Sequence, residues 1–314
     1  MLSFFARRFF SLIVTLWLVS VLIFAVLQIL PGDPAMVVLG LQANPETLAK
    51  VREQMGLNDP PLTRYLDWLS GTFTGDFGES LNYRVPVWDL IAQRLVVTGP
   101  LTIFAMSLTL LIALPLGIFA ASRHRKLGDY GTMLFSQIGL AVPTFWAGIL
   151  LMILFAVQLH WLPSGGFIYW QEDPVESIRH LILPALSLSL VQAAVLTRMT
   201  RSAMLDVLGE DYITTARSKG LVDRIVVYKH GLKNAFISIL TLLGLQLGQL
   251  LAGAIIIEFV FHLPGMGDLV LKSISQRDLP VIQSIVLFIA AVIVLVNFVV
   301  DLLYGYLDPR IRYE

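Results

Sequence analysis

Six long runs without a single charge do most to limit what this chain can become. They cover residues 9–30, 95–121, 130–159, 181–197, 235–257 and 281–300. A helix needs about 20 apolar residues to cross roughly 30 Å of hydrocarbon, and the runs meet that length, although the fourth is short. The second and third are long enough to tilt or to run into the interface. Of the 314 residues, 56% are hydrophobic and 14% charged, well below the ~25% charge of soluble domains. Pro100, Pro115, Pro143 and Pro184 lie inside the runs. They argue against strands and are tolerated in membrane helices, where neighbours re-satisfy the backbone. The expected class is an all-α integral membrane protein with six transmembrane helices.

The placement of Lys and Arg orients it. With the N-terminus inside, the inner segments (1–8, 122–129, 198–234 and 305–314) hold 14 Lys/Arg against 7 Asp/Glu. The outer ones (31–94, 159–180 and 261–280) hold 8 against 13. This bias predicts cytoplasmic N- and C-termini. The formal net charge of zero hides that polarity, and no nucleic-acid partner is expected. Arg7-Arg8 before an apolar run has the look of a secretory or twin-arginine signal. The run is 22 residues long and ends in Leu30-Pro31-Gly32-Asp33 without a small-x-small cleavage site, so a retained first helix is expected.

Enzyme chemistry finds little support. There is no cysteine, hence no disulfide, thiolate metal site or Cys nucleophile. No Gly-x-x-x-x-Gly-Lys-Ser/Thr loop occurs to cradle ATP, and no His-Glu-x-x-His to hold zinc. Ser164-Gly165-Gly166 near His160 suggests a nucleophile, yet Pro163-Ser164-Gly165-Gly166 reads more simply as a turn. His124, His160, His180, His230 and His262 show no ligand spacing. No cofactor, metal or catalytic residue is expected in this chain.

Residues 31–94 form a patterned outer segment. Asn44-Pro45, then Leu48, Val51, Met55 and Gly56, predicts a short capped amphipathic helix. Leu62, Tyr65, Leu66 and Leu69 give a second helix, and Gly71, Gly75 and Gly78 a turn-rich stretch toward 87–94. The segment either packs over the outer mouth or docks a soluble partner.

The inner segment 198–234 has another character. Glu210 and Asp211 open a candidate helix, Arg217 and Lys219 close it, and Gly220 follows as a left-handed stop. Tyr212, Thr215, Ala216 and Lys219 share one face by i, i+3, i+4, i+7 spacing. Such a helix can seat in a groove of another protein; a solvated basic loop is the alternative. Within the spans, Gln246 and Gln249 are expected on one face beside Gly244, Gly248 and Gly253, and Ser187, Ser189 and Gln192 interrupt the fourth run. Polar span residues tend to face an aqueous path or another helix, so Gln246, Gln249, Ser187 and Gln192 are path candidates. Interhelical hydrogen bonding is the competing role, and it is favoured for Glu258.

Thr214-Thr215-Ala216-x-x-x-Gly220, continuing to Leu232, resembles the EAA signature of the inner-membrane permeases of bacterial ABC importers. Thr214 stands where the general pattern has Glu, Thr215 where it has the first Ala, and Lys233 where Pro follows Leu232. These departures are similar to one branch, the first permease subunit of dipeptide, oligopeptide, glutathione and nickel importers. That branch has Tyr212, Ala216, Arg217, Lys219 and Gly220, then His230-x-Leu232-Lys233-Asn234-Ala235. The likeness runs nearly end to end, through Leu30-Pro31-Gly32-Asp33-Pro34, Gly56-Leu57, Gly75-Asp76-Phe77-Gly78 and Trp161-Leu162-Pro163. It continues through Glu258-x-x-Phe261-x-x-Pro264-Gly265-x-Gly267, Arg277-Asp278-x-Pro280-Val281-Ile282-Gln283 and Asp308-Pro309-Arg310.

The resemblance implies a multi-pass subunit of the bacterial inner membrane that imports di- or oligopeptides, or glutathione. Its implied partners are a homologous second permease, two ATP-binding subunits and a periplasmic substrate-binding protein, with ATP and Mg bound by the ATPase subunits. Asp211, Tyr212, Thr215, Ala216, Arg217, Lys219 and Gly220 would couple to those subunits. The expected organisation is residues 1–30 as N-terminus and first span, 31–94 as periplasmic segment, 95–308 as permease core including the coupling loop 198–234, and 309–314 as cytoplasmic tail. Import of nickel or another small solute, a proton-coupled secondary transporter and a membrane scaffold are the competing readings.

Overall fold

The computed structural model of the chain describes residues 2–29, 34–39, 44–54 and 56–307. Leu30-Pro31-Gly32-Asp33, Met55, Asp308-Pro309-Arg310 and the tail 309–314 lie outside the described residues. Within them every named element is helical. In order these are α1 (Leu2–Ile29), α2 (Pro34–Leu39), α3 (Pro45–Gln54), α4 (Pro61–Thr74), α5 (Val87–Ser122), α6 (Leu127–Ala141) and α7 (Thr144–Leu151). There follow α8 (Pro174–Leu208), α9 (Asp211–Ser218), α10 (Asp223–Ile225), α11 (Lys233–Val260), α12 (Met266–Gln276) and α13 (Leu279–Leu307). Wider π-helical turns extend α7 through Gln158 and join α10 to α11. Five of the helices are long and apolar enough to cross a membrane, and α6 with α7 makes a sixth if that bent pair is one span.

The third run departs from expectation. Residues 130–159 read as one long helix, whereas α6 and α7 meet at 101°. Pro143 is the cause: it has no N–H to continue the ladder and drives Val142 into an extended conformation (φ −91°, ψ 120°). The fourth run departs the other way. Its short apolar stretch lies within the 35-residue α8, about 50 Å long, capped by Asp173, whose carboxylate accepts the N–H groups of Val175 and Glu176. Two thirds of its most apolar stretch is buried against other helices, so Ser187, Ser189, Gln192, Thr197 and Thr200 face protein rather than lipid. Polar residues there shorten the hydrophobic run without shortening the helix.

The chain divides into two compact units. One comprises residues 1–5, 99–263 and 296–314, the other 6–98 and 264–295. The first is built around α8, against which α6, α7 and α11 pack. Its core joins Ala113, Ile118, Ala193, Leu196, Met204, Val227, Ala235 and Ile239. Small residues let the backbones close up: a Cβ on Gly139 of α6 would stand 2.5 Å from that of Ala194 in α8.

In the second unit Ile23, Leu27, Trp68, Ile282 and Leu287 form one cluster, and Val87, Ile91, Leu269, Val281 and Ile285 another. The expected cap holds for α3, where the Asn44 side-chain oxygen accepts the Glu46 N–H at 3.1 Å. The stripe expected of α4 is rotated: Leu62 and Leu66 are exposed, while Tyr65 and Trp68 turn inward onto Phe24. Aromatic rings with polar edges win that face because Tyr65 also meets the Ser20 hydroxyl, at 2.8 Å.

The same unit joins two motif pieces far apart in sequence. The buried Asp278 carboxylate accepts the Ser80 hydroxyl at 2.5 Å, the Leu81 and Asn82 backbone N–H groups at 3.2 Å each, and the Asn82 side-chain amide at 3.2 Å. The turn after Gly78 is thereby fastened to the junction of α12 and α13.

Candidate coupling and path sites

The helix expected at Asp211 is present as α9, with Asp211 in its first turn and Arg217 in its last. It ends on a Schellman motif. Gly220 sits at φ +78°, its N–H donates to the Arg217 carbonyl at 2.9 Å, and the Leu221 N–H reaches Ala216 at 3.4 Å. A residue with a Cβ at that φ costs about 1–2 kcal/mol, which accounts for glycine.

The expected face of α9 is divided. Tyr212, Thr215 and Lys219 are exposed, but Ala216 is buried and packs with Ile213, Val226 and Leu208. Ala216 therefore serves the seating of α9 on its own chain, because a helix this short holds position only by burying one side. Ile213, wholly buried, had no place in the sequence pattern, since one Ile in a charged stretch gives no periodic signal. The outward surface consists of Asp211, Tyr212, Thr214, Thr215, Arg217, Ser218 and Lys219. Arg217 also meets Asp223 at 3.3 Å, an exposed pair of little energetic weight.

Two links tie α9 to the long helices. Ile213 packs on Leu208 at the end of α8. The Asn234 side-chain amide donates to the Tyr212 hydroxyl at 2.8 Å and to the His230 carbonyl at 3.0 Å, on the first turn of α11. Motif residues 212, 230 and 234 thus converge on one joint, whose connecting segment Val226–Leu232 is π-helical.

The path candidates separate. Gln246 is buried and its amide donates to the Gln192 backbone carbonyl at 3.1 Å, across α11 and α8. Ser187 is fully buried, donates to the Leu183 carbonyl at 2.7 Å and lies against Gly148 of α7. These three sit in the packed seam of the bundle. Gln249, by contrast, is exposed, on a face of α11 with Thr241, Leu245, Ala252, Ile256 and Phe259. Gln246 and Gln249 do not share an environment: they stand only about 60° apart around the helix axis, and the boundary between the seam and the open side falls between them. The glycines beside them pack as expected where the contacts are seen: a Cβ on Gly244 would meet Asn297 at 2.7 Å, and one on Gly253 would meet Leu188 at 3.1 Å.

The Ser164 turn packs on the end of α11, with the Gly166 N–H donating to the Phe261 carbonyl at 2.9 Å. The rings of His160 and His180 contact the Gln158 and Gly166 carbonyls. Glu258 is wholly buried beside Phe261 in the same region.

One ionic centre leaves no signature in the sequence. Asp129 at the start of α6 is buried and held by Arg201 of α8 through two contacts of 2.5 and 2.7 Å, with His124 at 3.3 Å. Asp129 and Arg201 lie 72 positions apart, with no spacing to reveal the pair.

Comparison with known proteins agrees with this architecture. Residues 113–313 match the family described as binding-protein-dependent transport system inner membrane component, and residues 1–102 match its N-terminal family. The chain is 40% identical to the dipeptide transport system permease protein DppB of Alkalihalophilus pseudofirmus, and 42% to the glutathione transport system permease protein GsiC of Escherichia coli K12, over the whole of each. It is 41% identical to the di/tripeptide permease DppB of Pseudomonas aeruginosa, again end to end. The MetNI methionine ABC transporter in an inward-facing conformation shares the fold, with TM-score 0.59 and 16% identity over 70% of this chain and 96% of that one. The chain is thus a member of the inner membrane components of binding-protein-dependent transport systems.

Proposed function

We propose that this chain is one of two homologous permease subunits in an ATP-driven importer of short peptides, di- or tripeptides or glutathione. The observation that carries the substrate class is end-to-end identity of 40–42% to permeases named for dipeptides, di/tripeptides and glutathione. In this reading the bent α6–α7 pair is one of six spans, and both termini and residues 198–234 face the cytoplasm. Residues 31–94 face the periplasm, where a binding protein delivers the peptide.

One of the two ATP-binding subunits grips the outward surface of α9, namely Asp211, Tyr212, Thr215, Arg217 and Lys219, with Gly220 fixing its end, and the other grips the second permease. Their closure moves α9, and the Ile213–Leu208 and Tyr212–Asn234 joints pass that movement to α8 and α11. Shifting a two-state bundle from 1:99 to 99:1 takes on the order of 5.5 kcal/mol, which nucleotide-driven closure supplies more readily than peptide binding. The open face of α11 around Gln249 is turned to the second permease and the path between them. Gln192 and Gln246 reach a substrate only if α8 and α11 part.

The test is uptake into proteoliposomes holding both permeases, the ATPase subunits and the binding protein. Labelled dipeptide should accumulate only with ATP and binding protein, and an uncoupler should not reduce it. Uptake that continues without the ATPase subunits, or that collapses with the proton gradient, rejects the mechanism. Nickel uptake in place of peptide rejects the substrate class alone.

A further inference from the structure

Only four residues, 123–126, separate α5 from α6, and both helices belong to candidate spans. A turn that short between two membrane helices is confined to the membrane surface. Three of its residues, Arg123, Arg125 and Lys126, are cations, and all three are exposed. With Leu127, Gly128 and Tyr130 they line a surface cavity of about 650 Å³ in which no carboxylate takes part.

The neighbouring acid faces away and holds the turn in shape. Asp129 is bound from behind by Arg201, and its carboxylate also accepts the Arg125 backbone N–H at 2.9 Å. That bond pins Arg125 at φ +62°, a conformation side-chain-bearing residues seldom adopt. Arg123 is fixed separately: its guanidinium carbon lies 4.7 Å from the Phe119 ring centroid. Gly128 makes the room, since a Cβ there would come within 2.8 Å of the Phe119 ring and 3.6 Å of the Arg123 stem. The backbone of the turn and the Arg123 guanidinium are therefore set before any ligand arrives. At its edge Leu127 is 90% exposed and Tyr130 63%.

We propose that this cavity binds the phosphate of an anionic phospholipid. Arginine matches phosphate oxygens with paired N–H donors, and basic pockets at the membrane surface are suited to such headgroups. Leu127 and Tyr130 favour a lipid over a free anion, because a soluble phosphate gives an exposed leucine nothing to bury against. The bound lipid would brace the turn that Asp129 fastens to α8.

The experiment compares melting of the full chain in nanodiscs of phosphatidylcholine alone, with phosphatidylglycerol added, and with inorganic phosphate added instead. A ligand that binds the folded state raises the melting temperature. Phosphatidylglycerol should raise it, inorganic phosphate should not, and R123Q/R125Q/K126Q should lose the increment while melting as before in phosphatidylcholine. The single variants R125Q and K126Q, at exposed side chains, should each lose part of it, which keeps the test readable if the triple variant does not fold. A control, R224Q/K229Q, should keep it. An equal increment from inorganic phosphate overturns the lipid assignment. A full increment in the triple or both single variants, or equal loss in the control, overturns the site.

Discussion

The Asn234 side-chain amide and the Tyr212 hydroxyl meet at 2.8 Å, binding the short helix α9 to the first turn of α11. Both residues are exposed, so the bond lies where a docking protein would load it. Removing it by Tyr212→Phe or Asn234→Ala should cost at most about 0.5–1.5 kcal/mol of stability. ATPase activity of the assembled transporter should respond less to loaded binding protein, with unstimulated hydrolysis unchanged. Undiminished stimulation in both variants would remove this joint from the coupling route.

Gly220 offers a second handle on the same helix. Gly220→Ala places a Cβ at φ +78°, costing about 1–2 kcal/mol, and Gly220→Val costs more because of its branching. No atom lies within 4 Å of the added carbon, so the strain is local to the end of α9. Transport should fall, and valine should do more harm than alanine, with membrane abundance maintained on immunoblots.

The buried Asp129 and the partly exposed Arg201 form an ion pair between α6 and α8. Breaking it by Arg201→Gln leaves the Asp129 carboxylate short of its main partner and should destabilise by about 1–3 kcal/mol. Asp129→Asn combined with Arg201→Gln should cost less than the sum of the two, because the second change no longer strands a charge. Thermal melting of the four proteins checks this; strict additivity would mean the pair is not coupled.

Asp278 gathers four hydrogen bonds from Ser80, Leu81 and Asn82. Ser80→Ala removes one of them and should cost about 1–3 kcal/mol locally. Amide exchange should quicken in residues 78–86 and stay unchanged in α8. Equal exchange in both proteins would show that the turn is held by other contacts.

Much of this molecule could be read from order of residues alone. Length and absence of charge marked out the membrane helices, since neither depends on what a helix packs against. The left-handed stop at Gly220 and the Asn44 cap were equally local, each settled within a few residues. What required the tertiary structure was direction and partnership. Periodicity placed Ala216 beside Tyr212, but packing onto Leu208 and Val226 turned it inward. Gln246 and Gln249 looked alike until α8 covered one and left the other bare. The bend at Pro143, the full reach of α8, and the meetings of Asp129 with Arg201 and Asp278 with Ser80 belong to the same class. A contact across scores of residues leaves no spacing in the chain, because it exists only once helices have chosen which of their faces to bury.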